Sequence, residues 1–326
     1  MGSRHGSTAG RIGSLCGFAA LGAIGAFGIA AMPADAAAPV PYDLPTPPPN
    51  VNIGMLYNEF SSAGSFYTAR GTKIGDTSIS TDVPILRYVH TFTPVYGMQW
   101  GLQIIAPDVN FLGNTKVGGA NLSNNSGLGE PLLSGFIYPY SNPTEDAYVT
   151  LAYFLSPPVG AYQSTKSLNA GTNNVVNNFE IGVGHMLFGT PKGRRLDFEL
   201  WADVYFYGVN GDGPMLGVPG LGAFKSHVHT EPAEQFIVYL PYYFYPKTAA
   251  YVGLSFEQTM GGKEYLTSAL GKIDTGNRND VTTVGINAGS FLSPTVFAQA
   301  SLATDVRVRG GAKRDAIFQI QVGKIF

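Results

Sequence analysis

The 326-residue chain contains one cysteine, Cys16, and that cysteine falls in an N-terminal leader. The mature chain therefore has no disulfide framework and no thiol chemistry. Charge is scarce too, at 13% of residues against a usual value near 25%. The formal net charge of -2 supplies no basic stripe for nucleic acid. Beyond Met32 no apolar stretch approaches the ~18 residues of a membrane helix, which excludes a helical membrane protein and leaves a barrel open. No phosphate-binding loop is present. Gly182-Val183-Gly184 lacks the third glycine of a dinucleotide fingerprint and sits within a strand-like run.

Glycine (42), tyrosine (18) and phenylalanine (20) are plentiful. Residues 1–38 read as a cleaved signal peptide. Arg4 and Arg11 open it, Leu15 to Met32 is uncharged and apolar, and Ala34-Asp35-Ala36 offers small residues at the cleavage spacing. Residues 39–50 (PVPYDLPTPPPN) form a proline-rich lead-in, expected to be extended and exposed in the periplasm. The same segment is short enough to dip into a lumen as a plug, and too short for the plug domain of TonB-type receptors.

Pro94, Pro143, Pro191, Pro246 and Pro294 recur at intervals of 48 to 55 residues, each in a short turn between two strand-like runs. Long Gly/Asn/Ser-rich stretches separate one pair of runs from the next. Twelve runs result, at about 51–60, 82–93, 96–108, 128–140, 146–156, 175–188, 194–208, 233–245, 247–260, 280–290, 295–306 and 313–326. Short and long connections alternate, with 307–312 as the exception. This pattern predicts an all-β fold: a transmembrane antiparallel β-barrel of about 12 strands over 51–326, with periplasmic N- and C-termini, in the bacterial outer membrane. A kelch-type propeller shares the ~50-residue period but needs four short strands in each.

Alternation assigns the faces. In 196–207, Asp197, Glu199, Trp201, Asp203, Tyr205 and Tyr207 share one side, opposite Leu196, Phe198, Leu200, Ala202, Val204 and Phe206. In the last run Asp315, Ile317, Gln319, Gln321 and Gly323 share the wet side, and Gln299, Ser301 and Asp305 do so in 295–305. The lumen is thus expected to be lined by Arg87, Gln99, Gln103, Glu180, Asp197, Glu199, Asp203, Tyr205, Tyr207, Glu257, Asn287, Gln299 and Gln319, with acids outnumbering the one arginine. Two readings stay open: these side chains bridge and fill the lumen, or they line a path favouring neutral or cationic solutes.

Phe92, Tyr96, Tyr138, Tyr140, Phe188, Tyr243, Tyr245 and Phe291 gather by the proline turns, as an interfacial girdle would. The terminal Phe326 closes an amphipathic strand, resembles the signal read by the barrel-assembly machinery, and leaves outer-membrane lipid and lipopolysaccharide as the other contacts. His185 falls on the apolar face without the following sequence of barrel phospholipases, so no catalytic residue is assigned. His227, His229 and Glu231 could face one way in an extended loop, but no fourth metal ligand accompanies them, so neither metal nor cofactor is expected.

Three segments carry a resemblance. Ser126-Gly127-Leu128-Gly129-Glu130-Pro131 precedes a strand; Leu155 to Tyr162 (LSPPVGAY) follows the next; Ser167 to Asn173 (SLNAGTN) comes after. In order and spacing the chain resembles the outer-membrane transporter-like family labelled for the meta-pathway of phenol degradation, with Glu130 where that family usually has Asp. The resemblance implies a passive outer-membrane channel admitting small hydrophobic or aromatic compounds, and not an enzyme. A closed structural or adhesive barrel is the alternative, and an outer-membrane enzyme the third reading.

Overall fold

The computed structural model describes residues 39–218 and 222–326, together with the backbone of Ile29–Ala30. The expected signal peptide, with Cys16, otherwise lies outside the described residues. Twelve long strands form the wall: β1 (Asn52–Tyr67), β2 (Ser78–Thr91), β3 (Gln99–Val117), β4 (Leu132–Asn142), β5 (Ala147–Ser156), β6 (Val176–Gly189), β7 (Arg195–Tyr207), β8 (Ala233–Tyr245), β9 (Ala250–Gly261), β10 (Asp280–Ser293), β11 (Val296–Arg309) and β12 (Gly311–Ile325). Each pairs antiparallel with its neighbour in sequence. β12 pairs back onto β1 from Ile53↔Ile325 to Tyr67↔Gly311. Closure leaves the wall without a free edge, and Asn52 and Phe326 complete it by exchanging two backbone hydrogen bonds of 2.9 Å.

Both ends of the wall lie at the end where the five proline turns connect β2–β3, β4–β5, β6–β7, β8–β9 and β10–β11. The other end carries the long connections, with one exception. β11 and β12 are joined through Gly310 alone, at φ 72, a left-handed conformation that glycine adopts without steric cost. β1 and β3 run beyond residues 60 and 108 because their ladders continue with the short strands Lys73–Ile74 and Ala120–Asn121.

Leu56, Leu86, Leu254, Ile286, Leu302 and Ile320 point outward and are exposed. A closed barrel with this apolar outer wall satisfies its own backbone and spans a bilayer, which places the chain in the bacterial outer membrane.

The girdle expectation needs correction. Tyr140, Phe188 and Tyr245 are exposed, as is Tyr96 in its turn, but Tyr138 and Tyr243 are buried inside. Phe291 turns inward as well, packing on Phe297 and on Tyr42. The cause is local. The β4–β5 register slips between Val149 and Leu151, opposite Pro139; β8 slips between Tyr243 and Tyr245; β10 slips between Phe291 and Ser293. Each bulge inserts a residue and reverses the alternation beyond it. A bulge likewise turns Asp315 away from the wet face predicted for it. The β1–β12 register skips Asp315 and Gly64, and the exposed Asp315 accepts the Gly64 N–H at 2.9 Å. Arg314 turns inward instead.

The lead-in is exposed only at its end, residues 48–50. Residues 39–48 occupy the lumen at the short-turn end. Leu44 is buried against Tyr148, Trp201 and Ile237. Tyr42 sits among the rings of Tyr251, Phe291 and Phe297, with centroids 5.2 to 5.7 Å away. Proline supplies no N–H and so leaves few donors to bury. The carbonyls find wall hydroxyls: Tyr239 donates to Pro39 O at 2.8 Å, Tyr138 to Asp43 O at 3.0 Å and Thr91 to Pro48 O at 2.7 Å.

Candidate functional site: a lumen divided into cavities

Three cavities in the lumen are lined by the described residues. The outer one, toward the long loops, is about 260 Å³ and is lined by Val83, Ile85, Val109, Phe111, Leu168 and Val281, with Glu59, Arg278 and Arg314 among its polar groups. The inner one, about 330 Å³, lies between the lead-in and the wall and includes Tyr42, Phe136, Phe154, Trp201 and Phe297. A side cavity of about 80 Å³ shares Glu59 and Arg314 with the outer cavity and Pro39 with the inner one.

The expected lumen residues divide between these places. Arg87, Gln103 and Glu180 line the inner cavity. Glu257, Asn287, Gln299 and Gln319 line the side cavity. Tyr207 reaches the outer cavity, and Tyr205 lines a small void beside it with Asn178. Asp197, Glu199 and Asp203 are buried and touch none of the three cavities. Gln99 is buried as well, but its amide donates to the carbonyls of Phe92 and Trp100 and closes the first proline turn.

Among the described residues, three arginine-centred ion-pair groups hold the interior. Arg87 donates to Asp43 at 2.9 Å, to Gln103 at 2.7 Å and to Tyr57 at 3.0 Å, so its main partner is the lead-in rather than a carboxylate across the wall. Arg195 pairs with Asp146 and with Asp197, the latter at 2.8 Å, and stacks 3.9 Å over Tyr243. Arg314 grips Asp305 with two guanidinium bonds of 3.1 Å. Further polar contacts run along the wall between them: Asn178 to Asp203, Tyr205 to Gln235, Gln235 to Glu257 and Thr283 to Asp305, each at 2.8 or 2.9 Å.

At the outer end the three segments of the family resemblance meet on one carboxylate. Glu130 is 1% exposed. Its Oε1 accepts the backbone N–H of Thr172 at 2.6 Å and of Asn173 at 2.9 Å. Burial pushes this carboxyl up, against the lowering pull of those two bonds. Gly160 and Gly171 make the approach possible. A Cβ on Gly160 would lie 2.9 Å from Glu130 N, and one on Gly171 would lie 2.8 Å from Oε1. Ala161 also donates to Leu128 O at 2.7 Å, and Gly171 to Ala161 O at 2.9 Å. Glu130 thereby fastens the 157–175 loop over the barrel mouth, where Leu168 and Asn169 enter the outer cavity wall.

The remaining candidates are peripheral. His185 is exposed on the outer wall. His229 stacks on Tyr265 at 4.9 Å and bonds Thr267 at 2.9 Å. Phe326 is 63% exposed at the end of the wall.

In fold the chain is similar to an outer membrane channel from Pseudomonas putida F1, with TM-score 0.72 and 19% identity over 89% of this chain and 100% of that one. The β domain of the Bordetella autotransporter BrkA is similar at TM-score 0.45 and 10% identity, over 84% of this chain and 99% of that one. No curated protein matches by sequence. The family described as "Putative MetA-pathway of phenol degradation" matches residues 63–320, and the chain belongs to that family.

Proposed function

We propose that this protein is a passive outer-membrane channel for small hydrophobic or aromatic compounds, with its short-turn end in the periplasm. The observation that carries the reading is the pair of largely apolar cavities set one beyond the other in a lumen otherwise filled by side chains. Each exceeds the ~150 Å³ of an apolar cavity that holds benzene. Small barrels are filled by side chains and large ones leave an aqueous channel. Here the lead-in and the 157–175 loop narrow the two ends, which suits compact solutes moving from cavity to cavity better than a wide water column.

The β3–β4 ladder breaks after Ile105↔Leu132 at Pro107 and Pro131, which have no N–H to contribute. Pairing resumes at Asp108↔Leu128 and Val109↔Gly127, and Gly129 donates to Pro107 O at 2.9 Å, so solutes are expected to enter through the mouth and not through this wall. Phe326 and the last strand are the handle for the assembly machinery. Single-channel recording in a planar bilayer tests the reading. Small or rare current steps, with aromatic solutes entering and sugars excluded, fit it. Large steady ohmic steps that pass sugars would mark a general porin instead.

A further inference from the structure

We propose that the inner cavity is a binding site selective for a single aromatic ring bearing a hydrogen-bond donor, with Glu180 as the acceptor. The inference rests on the channel reading above and names the solute class that its inner station prefers.

The cavity is ringed by aromatic side chains, with Phe136, Phe154, Trp201 and Phe297 on the wall and Tyr42 on the lead-in. At about 330 Å³ it admits one ring with room to turn. Aromatic walls pack a ring edge-to-face or offset and supply apolar contact without directional preference. Direction must come from the polar groups, and nearly all of them are already engaged. The Arg87 guanidinium is held by Asp43, Gln103 and Tyr57. Arg195 is held by Asp146, Asp197 and the Pro191 carbonyl. Glu180 differs. It lines the same cavity, and no hydrogen bond or ion pair ties it to another described residue.

A carboxylate facing a confined apolar space without a donor is an incomplete site. A phenolic hydroxyl or an aromatic amine completes it. A carboxylate ligand would meet Glu180 and Asp43 with both guanidiniums already paired, so aromatic acids are disfavoured. Toluene-like rings fill the space but leave Glu180 as it was. The neighbouring Trp201 reports on occupancy. It pairs across the strands with Gly182, two residues from Glu180, and Gly182 leaves room for its ring.

The test uses the full mature chain, refolded, with Trp100→Phe so that Trp201 is the remaining tryptophan. Phenol, toluene and benzoate are titrated by calorimetry while Trp201 emission is followed. Phenol is expected to bind about tenfold more tightly than toluene, the difference expected of one buried hydrogen bond, and benzoate more weakly than either. Glu180→Leu should remove the preference for phenol and leave toluene unchanged, whereas Glu180→Gln, which keeps an acceptor oxygen, should retain part of it. Equal phenol affinity in wild type and Glu180→Leu, or benzoate binding as tightly as phenol, overturns the proposal. If outer-membrane vesicles still admit an apolar probe while no ring binds here, the selectivity proposal falls and the channel reading stands. If the vesicles admit nothing, the channel reading itself falls.

Discussion

Asp43, which precedes every strand of the wall, is held 2.9 Å from the Arg87 guanidinium on β2, and both side chains are 13% exposed. Removing one partner of such a pair leaves a buried charge uncompensated, at about 3–5 kcal/mol. The lead-in can escape that cost by leaving the lumen. Asp43→Ala is therefore expected to raise single-channel conductance, and deletion of residues 39–48 to raise it further. Unchanged conductance in both variants would show that the lead-in does not limit the path.

Trp201 gives an optical version of that prediction. It is 3% exposed and covered by Leu44. In a Trp100→Phe background, deleting residues 39–48 should shift emission to the red and open Trp201 to acrylamide quenching. An unchanged spectrum would mean that the indole is shielded by the wall alone.

Gly160→Ala should loosen the outer constriction. The added methyl would meet backbone atoms of Gly129 and Glu130 at 2.9 Å, so the 157–175 loop must move. Overpacking of this kind costs about 1–3 kcal/mol. Limited proteolysis on intact cells should cut this loop faster in the variant, with the barrel itself still folded.

The outer wall should tolerate apolar exchange and resist charge. Leu254 is 59% exposed and points outward from β9. Leu254→Arg is expected to lower folding stability in lipid by about 2–4 kcal/mol if the residue lies near the midplane. Leu254→Phe should be nearly neutral in the same denaturant titration.

Much of the architecture is legible in the residues, because a two-residue period and proline-marked turns are local properties. The inward row from Asp197 to Tyr207 follows from alternation alone. The same parity reaches Arg195, two residues before Asp197, so that second interior arginine was within reach of the pattern. Three features were not legible. Bulges reverse the alternation at Pro139, Tyr243–Tyr245 and Phe291–Ser293 without a strong local signal. The placement of the lead-in depends on partners such as Arg87, Tyr239 and Ala249, which are remote in sequence. The convergence of three loop segments on Glu130 is a tertiary event. The short motifs marked where it happens without showing that they touch.

Entry of a fluorescent naphthylamine probe into outer-membrane vesicles, with lipopolysaccharide in the outer leaflet, tests the central claim most directly. Vesicles carrying the protein should take up the probe faster than vesicles without it, while arabinose entry stays the same. Equal probe entry in both, with the barrel shown to be folded, would contradict a channel for small apolar compounds.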